Sequence, residues 1–200
     1  MVVTRVVLIR HAEPVSTTRG RVYGRLDVGL SPAGRAAAAD LRPAVEAERA
    51  VACRTSPRAR AVETATALGL DPVPDERLAE IDFGAFEGRT YDEIQAGHPE
   101  LYDRWMAAPT TIRFPGGESY ADVRVRALAA LSELRVAHAG ATSVVVTHGG
   151  VIRAIVGEVL VIPDERIFRL GQDYLGRTTI DWYDEEPVVR SVNVGPQVGH

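Results

Sequence analysis

TRVVLIR, residues 4–10, is a short β-branched apolar run that stops abruptly at His11-Ala12-Glu13. Bounded by polar residues, it reads as a buried strand. Its tip crowds three ionisable side chains, Arg10, His11 and Glu13, at the edge of the core. A charge withdrawn from water is costly unless it is paired. The tip must therefore hold something, meet solvent, or both.

Outward from this strand the pattern repeats. SPAGRAAAADLRPAVEAE (31–48) opens with Ser31 as an N-cap and Pro32 at the first helical position, and Pro43 is expected to interrupt the helix. RAVACR (49–54) reads as a second strand, and SPRARAVETATAL (56–68) repeats the Ser-Pro helix start. ESYADVRVRALAALSELRVAHA (118–139) is a long amphipathic helix, TSVVVTH (142–148) a third buried strand, and GGVIRAIVGEVL (149–160) the helix it feeds. RTTIDWYD (177–184) and PVVRSVNV (187–194) alternate like a hairpin at a sheet edge. Strands alternating with helices predict an α/β fold with a largely parallel sheet. With no repeat or linker, residues 1–200 read as a single domain.

Composition narrows the chemistry. The net charge of −4 gives no global attraction to nucleic acid or to a membrane surface. No apolar run approaches the ~20 residues of a membrane span, and the N-terminus lacks a signal-peptide pattern. The one cysteine, Cys53, cannot form an internal disulfide, which fits a reducing cytoplasm. All 23 basic residues are arginines. Without lysine there is no Schiff base and no P-loop.

In parallel sheets ligands sit beyond the carboxyl ends of the strands. The three strand ends carry Arg10-His11, Arg54-Thr55-Ser56 and Thr147-His148-Gly149-Gly150. If the strands are neighbours, two histidines and several arginines share one pocket. Gly149 and Gly150 sit where a helix begins, and free N–H groups there suit an anion. Of Arg58 and Arg60, one should face the pocket. His11-Ala12-Glu13 matches one half of a zinc-deaminase signature, but a single cysteine cannot complete it, and the arginines would repel a cation. No metal or other cofactor is expected. A nucleophile elbow and a dinucleotide fingerprint are both absent.

Arginine forks, helix N-termini and two imidazoles suit a phosphoryl group. Its transfer needs a nucleophile, which neutral imidazole provides, positive charge around the equatorial oxygens, and an acid for the departing oxygen. Glu13, Glu80 and Glu87 are the candidate acids.

These residues carry a resemblance. Arg10-His11-Ala12-Glu13, GRLDVGLSPAGRAAA, SPRARAVETA, LAEIDFGAFEG and VVVTHGGVIR, in this order over residues 4–156, resemble the histidine phosphatase superfamily, also called the phosphoglycerate mutase-like family. The resemblance implies a three-layer α/β/α sandwich with a largely parallel central sheet. It implies His11 as the residue that becomes phosphohistidine, Arg10, Arg60 and His148 as the phosphate clamp, and Glu80 as proton donor. It thereby favours Arg60 over Arg58, and Glu80 over Glu13 and Glu87. It implies Tyr23 and Gly24, with Thr17 in the asparagine's place, as further substrate-contact positions, to which the helix start adds Gly149. Two departures stand out: Ala12 replaces the family's usual glycine, and Thr17 stands where an asparagine is common.

The expected function is a cytoplasmic phosphomonoesterase acting on a small phosphorylated metabolite; a homodimer is left open. One rival is a bisphosphoglycerate-dependent mutase, but the segment between Gly88 and Gly117 lacks the basic insertion of the mutases, with Arg104 and Arg113 its only arginines past Arg89. FPGGES (114–119) resembles small phosphatases of the family, including α-ribazole and broad-specificity sugar-phosphate phosphatases. The other rival is a catalytically silent binder of phosphorylated ligands.

Overall fold

A computed structural model describes residues 2–195; the first residue and the last five of the expected domain lie outside them. Six strands form one sheet in the order β3-β2-β4-β1-β5-β6. They are β1 (Val3–Arg10), β2 (Ala52–Thr55), β3 (Pro72–Pro74), β4 (Thr142–Thr147), β5 (Arg177–Tyr183) and β6 (Glu186–Val194). β1, β4, β2 and β3 run parallel, while β5 is antiparallel to both β1 and β6. The expected hairpin and the mostly parallel sheet are both present.

The continuous apolar run of β1 serves two faces. Val6 and Leu8 join Val145 in one core cluster, while Val7 and Ile9 join Val144 and Val146 in the other. Alternate side chains of a strand point to opposite faces, so a sheet covered on both sides needs apolar residues at every position. Helices α1 (Pro32–Glu46) and α2 (Ala59–Ala67) cover one face through Ala38, Leu41, Val45, Ala61 and Ala65. Helices α5 (Tyr120–Ala137) and α6 (Gly149–Val159) cover the other through Val123, Ala127, Ile152 and Ile155. Two shorter helices, α3 (Tyr91–Gly97) and α4 (Pro99–Ala107), add Ile94 and Trp105 to that second cluster.

Helix α1 starts as its residues predict: Ser31 Oγ accepts the Gly34 N–H at 2.9 Å, with Pro32 next. Pro43, expected to interrupt it, lies inside a continuous helix. A proline removes one hydrogen bond, but Leu41 and Val45 on either side are buried against the sheet and hold the last turn. Two boundaries differ. The second strand begins at Ala52 rather than residue 49, because Arg49 turns the chain with φ 52°. The second helix begins at Ala59 rather than at the Ser-Pro pair, because Ser56 is held elsewhere, in the pocket.

Candidate active site

β1 delivers His11 to the carboxyl edge of the sheet, where it is only 2% exposed. Its Nδ1 lies 2.8 Å from the Ala12 carbonyl oxygen. A carbonyl only accepts, so Nδ1 carries the ring proton and Nε2 keeps a free lone pair. Burial, then the charge of Arg60, holds the His11 imidazole well below its ordinary pKa. The ring is thus neutral and oriented. Ala12, the departure from the family pattern, fits: its methyl is fully buried and its N–H donates to Thr64 Oγ1 at 3.0 Å.

β4 neighbours β1 and brings His148 alongside, with ring centroids 5.1 Å apart. His148 is fully buried, and burial followed by Arg60 also lowers its pKa well below the usual value. Its Nε2 pairs with Ser56 Oγ at 2.7 Å, leaving Nδ1 without a partner. Arg60, from the first turn of α2, is fully buried; its two terminal nitrogens donate to Leu26 O and Gly24 O at 2.8 and 2.9 Å. Arg10 donates to Gln172 O and lies 4.2 Å from the Tyr174 ring centroid. The strand ends therefore do converge.

The three candidate acids separate. Glu13 accepts from Ser31 Oγ at 3.0 Å at the head of α1. Glu87 takes the N–H groups of Gly24, Arg25 and Phe83, fixing the 23–25 loop. Glu80 accepts from the Ile81 and Gly150 N–H groups at 3.0 and 3.3 Å, at the start of α6. A Cβ at position 150 would stand 2.4 Å from Glu80 Oε1, so glycine admits the carboxylate.

The remaining expected positions divide as well. Gly149 is buried at the α6 start, 3.6 Å (from an ideal Cβ) to Arg10 Nε. Gly24 donates to Glu87 and accepts from Arg60, so both its backbone groups are engaged; a Cβ there would fall 1.8 Å from Ile81 O. Tyr23 lies over Arg60, 5.1 Å from its guanidinium carbon to the ring centroid, and its hydroxyl is 3.4 Å from that of Tyr174. Thr17 is exposed in a 3-10 turn; its neighbours Ser16 and Thr18 line the cleft beside Arg10. Arg58 is half-buried at the N-cap of α2, not on a solvated face, and its Nε is out of contact with solvent and unpaired.

Arg10 Nε, Arg60 Nε, His148 Nδ1 and the Gln172 side-chain amide are all buried without a partner. A cluster of unpaired buried polar groups is rare in native proteins. Three of them can donate from charged or ring nitrogen, which is the donor set of an anion pocket. The histidine phosphatase superfamily (branch 1) profile matches residues 6–195. The chain belongs to this superfamily. Phosphoserine phosphatase 1 of Hydrogenobacter thermophilus is 31% identical over 199 residues, covering 98% of this chain and 94% of that protein. Among solved structures, Bacillus stearothermophilus YhfR superposes with a TM-score of 0.88 at 32% identity, over 94% of this chain and 95% of that one. A mycobacterial glucosyl-3-phosphoglycerate phosphatase gives 0.86 at 27% identity, over 96% and 100%. The chain is thus a histidine-type phosphatase with the phosphoglycerate mutase-like fold.

Four pocket residues of this histidine phosphatase escaped the sequence reading. Ser56 falls at the expected strand end and at the Ser-Pro pair, but neither pattern assigns its hydroxyl a partner in the pocket. Tyr174 and Gln172 belong to none of the motifs, and Arg153 closes VVVTHGGVIR without a role of its own. Tyr174 reaches Arg10 and His11 because the loop before β5 is pinned to the tip of β1, with Leu175 N–H donating to Arg10 O at 3.1 Å. Among the described residues, no group of three or more His, Cys, Asp or Glu side chains could hold a metal ion, and no helix is long and apolar enough to cross a membrane.

Proposed function

We propose that this protein hydrolyses a small phosphorylated metabolite through a covalent phosphohistidine at His11. The observation that carries the reading is the His11 ring itself: a neutral imidazole with Nδ1–H tied to Ala12 O and Nε2 free. Nε2 attacks phosphorus while the ester P–O bond breaks, and Glu80 gives its proton to the departing oxygen. Arg10, Arg60 and His148 surround the equatorial oxygens, where charge spreads in the transition state. Water then attacks the phosphoryl group and yields its proton to Glu80. The P–N bond breaks and its electron pair returns to Nε2. Tyr23 and Gly149 line the same pocket, and Gly24 acts by holding Arg60. The arginines supply the countercharge that a metal would otherwise bring.

The relatives named as phosphoserine and glucosyl-3-phosphoglycerate phosphatases support a small phosphorylated substrate. Rapid quench with a radiolabelled phosphomonoester tests the mechanism. An acid-labile phosphoprotein should form before steady state and be absent from His11→Ala. Turnover without any such species would overturn the phosphohistidine assignment.

A further inference from the structure

Beside Glu80 the structure opens into a cavity of about 360 Å³. Phe83, Tyr91, Trp105, Phe114, Tyr120 and Phe168 supply an aromatic wall. Tyr91 stacks on Trp105 with centroids 5.5 Å apart, and Trp105 meets Phe114 edge-on at 5.2 Å. At the mouth, Tyr91, Met106 and Phe168 are 43%, 44% and 50% exposed. The lining's two charged side chains, Glu80 and Arg153, both adjoin the start of α6: an ideal Cβ at Gly149 lies 3.2 Å from Arg153 Nη1, and one at Gly150 lies 2.4 Å from Glu80 Oε1. The cavity is thus charged at the phosphate end and apolar beyond it.

The acid of a phosphatase must touch the oxygen that departs. Whatever that oxygen carries therefore extends from Glu80 into the space Glu80 borders. We infer that the substrate is a phosphomonoester whose alcohol bears a flat, apolar body, seated in this cavity with its ester oxygen at Glu80. The inference rests on the roles given above to His11 and Glu80. A leaving group the size of serine or glycerol leaves the rings at the mouth in water, whereas an aromatic body removes them from it. The concave shape and its continuity with the phosphate pocket fit a small ligand rather than a protein surface. Burying one such ring favours its ester by roughly 10- to 100-fold.

Benzyl phosphate and glycerol 3-phosphate test this, because both release a primary alkoxide and differ in the body behind it. The wild-type kcat/KM should favour the benzyl ester by roughly 10- to 100-fold. Met106→Glu and Phe168→Ala, on different elements at the exposed mouth, should each draw that ratio toward one. Benzylphosphonate should likewise inhibit more tightly than methylphosphonate. A wild-type ratio near one, a ratio unmoved in both variants, or a dimer that hides Met106 and Phe168 would overturn the inference. Acid-labile phosphoprotein read in the same reactions keeps the two readings apart. Its formation without benzyl preference defeats the cavity assignment alone, and its absence with every ester defeats both.

Discussion

Ser56 Oγ and His148 Nε2 lie 2.7 Å apart, both residues fully buried, joining the end of β2 to the start of α6. Ser56 Oγ also accepts the Arg58 N–H at 3.3 Å, so its own proton is available for Nε2. That assignment places the ring proton of His148 on Nδ1, which has no protein partner and can donate to a phosphoryl oxygen. Ser56→Ala should lower kcat/KM by up to about a hundredfold through misorientation of this donor. Nitrogen chemical shifts should show His148 leaving the Nδ1–H tautomer, and Ser56→Thr should restore it. An unchanged tautomer in the alanine variant would show that Ser56 only fills space.

The two imidazoles predict a pH dependence of stability. Burial first, and Arg60 second, lowers both pKa values well below the ordinary value. The unfolded chain, with histidines near 6.5, therefore takes up protons that the folded protein refuses as pH falls. The contribution from neutral burial is complete above about 6.5 and is lost progressively below it. Urea midpoints should fall between about pH 7.5 and 5.5, and His148→Asn should flatten the curve. Imidazole resonances of His11 or His148 that titrate near 6.5 would contradict this.

Glu80→Gln separates an acid from a carboxylate that merely holds the Ile81 and Gly150 N–H groups. An alkyl alkoxide needs a proton to leave, whereas p-nitrophenolate does not. The variant should form phosphoenzyme far more slowly from alkyl phosphates than from p-nitrophenyl phosphate. With the aryl ester, phosphoenzyme should accumulate because water activation is also lost. Equal slowing of both, or leaving-group dependence only in Glu13→Gln, would reassign the acid.

Arg60→Ala should reduce kcat/KM by roughly 10²–10³, the usual cost of one transition-state donor. It also strips Gly24 O and Leu26 O of their donor, so the thermal midpoint should drop as well. Arg58→Ala should cost clearly less in rate, although its half-buried position makes it more than a surface change. Comparable rate losses would mean that the two arginines share the phosphate.

Excess EDTA should leave turnover unchanged, since arginine supplies the countercharge. A loss restored by added divalent metal would argue against the proposed mechanism.

The sheet and its convergence were legible because β1 and β4 carry apolar runs that lead into His11 and His148, a pattern set by two-sided burial. The edge strand β3 was not, because PVP (72–74) has only one β-branched residue between two prolines. Helices α3 and α4 were also missed. Their signals are caps, the Thr90–Glu93 capping box and Pro99 in the first turn, and the apolar stripes behind them are short. Choosing among Glu13, Glu80 and Glu87 needed the resemblance, because their partners lie up to 70 positions away in sequence. Ser56 shows the opposite failure. The local Ser-Pro rule starts a helix there, but the helix begins at Ala59 because the Ser56 hydroxyl answers to a histidine 92 residues on.

The hydroxyls of Tyr23 and Tyr174, 3.4 Å apart above Arg60 and Arg10, form a cover over the His11 imidazole, a residue only 2% exposed. A phosphoryl group parked on His11 would be sheltered from bulk water by this cover on one side and by any alcohol still lodged beside Glu80 on the other. Its lifetime would then be set by how fast the alcohol departs, not by the weakness of the P–N bond. Under the proposed mechanism the products would then leave in a fixed order: alcohol first and, after water enters, inorganic phosphate last. Opening the cover, as in Tyr174→Ala, should shorten that dwell and let added alcohols compete with water for the stored group.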